Sequence, residues 1–97
     1  MSFRRVAKVD ANHAEVVIAF RKLGCKVLDI HQLKNCSDLV VGKGCRMIFV
    51  EVKDGNKIPS KRKLTPGAQK FRDEWTGLAV TVESLDDVMR VVRELDS

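Results

Sequence analysis

The run Arg46-Met-Ile-Phe-Val-Glu-Val-Lys53 constrains the fold more than any other stretch of the chain. It is rich in β-branched and aromatic residues and holds neither Gly nor Pro, so it reads as a strand. Strand side chains alternate between faces. Met47, Phe49, Glu51 and Lys53 therefore share one face, and Ile48, Val50 and Val52 share the other. The second set needs an apolar layer against it. The first ends in a carboxylate and an ammonium, side by side on an otherwise apolar strand. Burying such charges is costly unless each finds a partner.

The remaining segments supply layers for that strand. Residues 1–9 form a short basic arm with Arg4, Arg5 and Lys8. A first helix starts near Asn12, with Val16, Ala19, Phe20 and Leu23 on one face and Gly24 as its stop. Asn12 and Glu15 match a capping box. Cys25–Ile30 and Asp38–Val41 read as strands on either side of a polar loop. Gly42-Lys43-Gly44 then turns the chain into the third strand as a hairpin. Residues 54–63 are loop. Thr65-Pro66 opens a second helix, with Ala68, Phe71 and Trp75 on one face, read as core. Leu78–Val82 is a fourth strand. Ser84 caps a last helix carrying Leu85, Val88, Met89, Val92 and Leu95. The predicted order is α-β-β-β-α-β-α. A helix between strands three and four makes them parallel, with a right-handed connection. The fold class is α/β: a mixed four-stranded sheet flanked by helices.

A chain of 97 residues is one domain with a modest core, for which a homodimer is a reasonable expectation. No apolar run approaches the roughly 20 residues of a membrane helix, and Met1-Ser-Phe-Arg-Arg lacks the apolar segment of a signal peptide. The expectation is a cytoplasmic protein, in its own cell or, if phage-encoded, in a host. A net charge of +5 points towards a polyanionic partner. Cys25, Cys36 and Cys45 could be drawn with His31 as a zinc site. Their spacing fits no usual pattern, and reduced core or near-core thiols are the preferred reading.

The hairpin gives Glu51 a neighbour. Folding about residues 42–44 sets Asp38 opposite Phe49 and diagonal to Glu51 on the same face. Two close carboxylates repel and raise a pKa. A divalent cation between them relieves this, and oxygen ligands suit Mg²⁺ or Mn²⁺. The Val52 carbonyl could complete the set. Lys53 would then orient a water for attack on a phosphodiester. Lys57, Lys61, Arg62 and Lys63, with Arg4 and Arg5 of the arm, would grip the nucleic-acid backbone without reading sequence.

Ser37-Asp38, followed by Glu51-Val52-Lys53, resembles the signature of the PD-(D/E)xK nucleases. The element order is similar to that superfamily's restriction-endonuclease-like core. Within it, the chain most resembles short stand-alone VRR-NUC domain proteins, and secondarily Holliday-junction resolvases, from about residue 12 to 95. Glu15, the Glu-Val-Lys strand end, Leu64-Thr65-Pro66 and Gln69 share in the likeness. The resemblance implies a Mg²⁺- or Mn²⁺-dependent endonuclease acting on DNA, with branched or junction DNA as a preference. It implies that Asp38 and Glu51 bind metal and that Lys53 is catalytic. It also implies that Glu15 supports the ion through a water, and that Gln69 lines the site. Ser37 stands where the signature has Pro, a position that shapes backbone and supplies no ligand.

Plainer readings stand beside these. Glu51 and Lys53 could be a surface pair, Glu15 only a cap, and Gln69 only solvated. His13 and His31 read as ordinary polar residues outside the site. A rival from another class is a non-catalytic nucleic-acid-binding module on the same fold. A third is a partner-binding domain whose charge is incidental.

Overall fold

A computed structural model describes residues 10–97; the basic arm, with Arg4 and Arg5, lies outside the described residues. The elements are α1 (His13–Lys22), β1 (Lys26–Asp29), β2 (Leu39–Lys43), β3 (Arg46–Val52), a 3-10 turn (Pro59–Lys61), α2 (Pro66–Glu74), β4 (Ala79–Val82) and α3 (Leu85–Asp96). The strands form one mixed sheet in the order β1-β2-β3-β4. β1, β2 and β3 pair antiparallel, and β3 and β4 pair parallel.

The hairpin turns one residue later than its glycines suggest. Gly42 lies within β2, and Lys43 pairs with Arg46. The turn is Gly44-Cys45, and Gly44 adopts φ of +62°, as the first position of a II′ turn requires. This shifts the expected register by two residues: Val40, not Asp38, sits across from Phe49. An even shift leaves every side chain on its expected face. Cys45 is consequently exposed and Cys36 half-buried; among the three free cysteines, Cys25 alone joins the core.

The core lies between one sheet face and the two helices α1 and α3. Val27, Leu39, Val41, Ile48, Val50, Val52 and Val82 supply the sheet side. His13, Val16, Val17 and Phe20 form the buried stripe of α1, and Val88, Val91, Val92 and Leu95 that of α3. Both are i, i+3, i+4, i+7 stripes. They are rotated from the expected ones, so Leu23, Leu85 and Met89 are exposed. α1 ends with Gly24 N–H donating to Arg21 O (3.1 Å) and Cys25 N–H to Phe20 O (3.1 Å). That is a Schellman closure, with Phe20 and Cys25 both buried beside it.

α2 packs on the opposite face, which corrects the reading of Phe71 and Trp75 as core. Their rings meet Phe49 at centroid distances of 5.2 and 4.8 Å. Trp75 remains exposed, and on the same face Leu28 and Met47 are 64% and 50% exposed. The α2 start is fixed by Thr65, whose Oγ1 accepts from Ala68 N–H at 3.2 Å, with Pro66 in the first turn. Thr65→Ala is expected to cost about 1 kcal/mol in urea unfolding at an unchanged m-value. Among the described residues no helix is long and apolar enough to cross a membrane.

Candidate metal and phosphate site

Strand ends bring the charged groups together. Glu51 is the second-last residue of β3, and Asp38 immediately precedes β2. The Asp38 N–H donates to Val50 O at 3.1 Å, although Val50 is the register partner of Leu39. Two successive residues thus address one partner, an irregularity of the bulge kind. The Val52 amide donates to Asp38 Oδ2 at 2.7 Å. The Val52 carbonyl leaves the strand on the same side as its amide, towards Asp38. Glu51 is 7% exposed, and its ion-pair partner, Lys53 Nζ, is 4.0 Å from Oε1.

Asn12 holds α1 against these strand ends. It does not cap the helix through its side chain, which corrects the capping-box expectation. Its Nδ2 donates to Lys53 O (3.0 Å) and Glu83 O (3.4 Å), at the ends of both parallel strands. The start of the first helix is thereby set over the carboxyl ends of β3 and β4, where open α/β sheets commonly place ligands.

Asp38, Glu51, Val52 and Lys53 line one cleft of about 360 Å³ together with Asp10, His31, Lys57 and the segment Asn35–Ser37. Asp10 joins the site without having been among the sequence candidates; its carboxylate stands just ahead of α1 and faces Lys57 Nζ at 3.4 Å. An acidic residue directly before a helix start beside the strand ends is the signal that could have found it. His31, expected outside the site, is in the wall. Arg72 also acts here: it donates to Thr81 Oγ1 at 3.0 Å, and Thr81 is the register partner of Glu51. On α2, Gly67 leaves room for the loop, since a Cβ there would lie 1.8 Å from Asn35 Oδ1.

Burial, then the charge of Asp38, pushes the Glu51 carboxyl up to about 7, against the pull of Lys53 and Arg72. Burial also raises Asp38, opposed by the Val52 amide and by His13 and Lys53; Asp10 adds to the rise in both carboxyls. Acidic oxygens forced towards protonation by one another are a donor set that fits a hard divalent cation. Asp38, Glu51, Asp10 and the Val52 carbonyl are the groups that could hold it.

Other sequence candidates fall elsewhere. Glu15 is exposed and lines a neighbouring hollow of about 480 Å³ with Asp54, Arg62, Glu83 and Asp87. The charges there are largely engaged: Arg62 Nη1 donates to Glu83 Oε2 (2.5 Å), and Asp87 Oδ2 accepts from Glu83 N–H (2.9 Å). The smaller cleft, with the buried Glu51 and half-buried Asp38, therefore has the stronger claim to chemistry. Gln69 is exposed on α2 and donates to Asp73 Oδ1 at 2.8 Å. Lys61 and Lys63 are exposed. Compared with family models, curated proteins and solved structures, the chain matches none.

Proposed function

We propose that this chain is a Mg²⁺- or Mn²⁺-dependent endonuclease that hydrolyses DNA phosphodiester bonds on a restriction-endonuclease-like core. The observation that carries the reading is the nearly buried Glu51 beside Asp38 in a cleft that also holds Lys53. A structural ion pair would not bring further carboxylates, Asp38 and Asp10, to the same place. The likeness of Ser37-Asp38 and Glu51-Val52-Lys53 to the nuclease signature supports the same reading. DNA with branches or junctions is the preferred substrate in this proposal, and a homodimer presenting two clefts the working form.

Asp38, Glu51 and the Val52 carbonyl would hold the cation, with Asp10 as a further oxygen ligand or its water-mediated support. The chemistry such an ion supplies when bound is Lewis-acid stabilisation of charge on a phosphate and acidification of a water. Lys53 orients the attacking water and offsets negative charge at the reacting phosphate. Val52 N–H fixes one oxygen of Asp38, leaving the other to the cleft. Lys57 adds positive charge at its wall, and Arg72 adds positive charge felt by Glu51.

The test is nicking of supercoiled plasmid by the full chain with Mg²⁺ or Mn²⁺ and with EDTA. Cation-dependent nicking supports the proposal. Salt-sensitive binding without cleavage under any of these conditions identifies a binding module instead.

Lys61 and Lys63 are exposed and make no ion pair among the described residues, whereas Arg62 is committed to Glu83. The double variant Lys61→Ala/Lys63→Ala is expected to lower the slope of log affinity against log salt by about 2. Arg62→Ala should change it less. Fluorescence anisotropy on a duplex at several salt concentrations measures both.

A further inference from the structure

We propose that His13, Asp29 and His31 form a binding site for a divalent cation of the Zn²⁺ class, distinct from the carboxylate site. The three residues come from separate places. His13 opens α1, Asp29 ends β1, and His31 lies in the loop that leads to Asp38. His13 Nε2 lies 2.9 Å from Asp29 Oδ2, and His31 Nδ1 lies 2.5 Å from Asp29 Oδ1. The potential ligand atoms all fall within 4.8 Å of one another. A tetrahedral ion with bonds of about 2.1 Å keeps its ligands about 3.4 Å apart, so small movements would seat one.

The donor set selects the metal. Two imidazoles and one carboxylate suit Zn²⁺ and its neighbours, whereas Mg²⁺ favours oxygen. Asp29 presents one oxygen to each ring, Oδ2 to His13 Nε2 and Oδ1 to His31 Nδ1, so all three donors already converge. His13 is nine-tenths buried, and its Nδ1 has no hydrogen-bond partner among the described residues. Burying a ring so incompletely satisfied is unfavourable, yet the fold holds it here with Nε2 against Asp29.

The site also has a place in the architecture. His31 lines the cleft that holds Asp38 and Glu51, and the His13 and His31 rings meet edge to face at 5.2 Å. An ion here ties the start of α1 to the end of β1 and to the loop before Asp38. It is a positioning clamp at one wall of the cleft. Its existence does not depend on the nuclease reading.

The experiment uses the full chain, stripped with EDTA and dialysed, then titrated with Zn²⁺ by calorimetry and with Co²⁺ by visible absorption. One equivalent of Zn²⁺ should bind. Co²⁺ should give d–d bands without the intense near-ultraviolet band of thiolate ligation. His31→Ala and Asp29→Asn, both at partly exposed positions, should each weaken Zn²⁺ binding at least about 100-fold, beyond the effect of removing a supporting residue. The double variant Asp38→Asn/Glu51→Gln should leave Zn²⁺ affinity unchanged. Failure of the wild-type chain to bind Zn²⁺ would overturn the proposal. So would a thiolate band, undiminished binding in both single variants, or loss of binding in the double variant.

Discussion

Asp38→Asn and Glu51→Gln are each expected to reduce cation-dependent plasmid nicking by at least about 10²–10³-fold, the scale on which one electrostatic group contributes to a hydrolytic site. The amides keep the size of the side chains they replace. In Asp38→Asn the amide oxygen could still accept the Val52 N–H bond that Asp38 Oδ2 makes at 2.7 Å, so the strand irregularity survives. What each change removes is a charged oxygen ligand. Circular dichroism and thermal unfolding should show a folded protein, with the loss confined to activity and cation binding. Lys53 provides a contrast, since Lys53→Ala should abolish turnover while leaving the carboxylates able to bind Mn²⁺. Nicking by either carboxylate variant at the wild-type rate would remove Asp38 and Glu51 from the mechanism.

The second large effect is on stability. Glu51 titrates near 7 in the fold, against an ordinary value of 4.5. The folded state therefore holds this proton more tightly than the unfolded chain does. Stability from Glu51 protonation is fully present below about pH 4 and lost as pH rises through 7. The loss amounts to about 3 kcal/mol by pH 8. Asp38 shifts in the same direction. Asp29, held at about 2 against an ordinary 3.8, contributes stability that is fully present above about pH 4 and lost as pH falls from there through 2, outside this window. Urea unfolding in EDTA should show wild-type stability decreasing between pH 5 and 8. Glu51→Gln should flatten that slope and be the more stable protein at pH 8. Adding Mn²⁺ at pH 8 should stabilise wild type and leave Glu51→Gln little changed. A flat wild-type profile would mean that Glu51 is better solvated than its burial implies.

Much of this arrangement is legible in the sequence because strand periodicity is strict. The alternation in Arg46–Lys53 separates Glu51 from the core-facing Ile48, Val50 and Val52, and all three of those are buried. The hairpin register is less legible. Gly42 and Gly44 both resemble turn residues, and only the pairing of Lys43 with Arg46 distinguishes them. The helix stripes differ from expectation by part of a turn because Leu23 and Met89 are as apolar as the residues that take their place in the core. Asn12 has the chemistry of a cap, yet it is drawn to the Lys53 and Glu83 carbonyls, partners 41 and 71 residues away. No local rule anticipates that. The same holds for Asp10 and His31, which reach the cleft walls only through tertiary packing, and for Arg72, whose charge reaches Glu51 the same way. Glu15 and Gln69 enter by resemblance, and the fold sets Glu15 in the adjoining hollow and Gln69 on an exposed helix face.

The most direct measurement is the crystal structure of the chain grown with Mn²⁺, using anomalous scattering to locate the ion. The expected result is an anomalous peak within about 2.0–2.6 Å of carboxylate oxygens from both Asp38 and Glu51. An empty cleft at saturating Mn²⁺, or an ion elsewhere with Asp38 and Glu51 bound only to protein, would contradict the assignment of these carboxylates as a metal site.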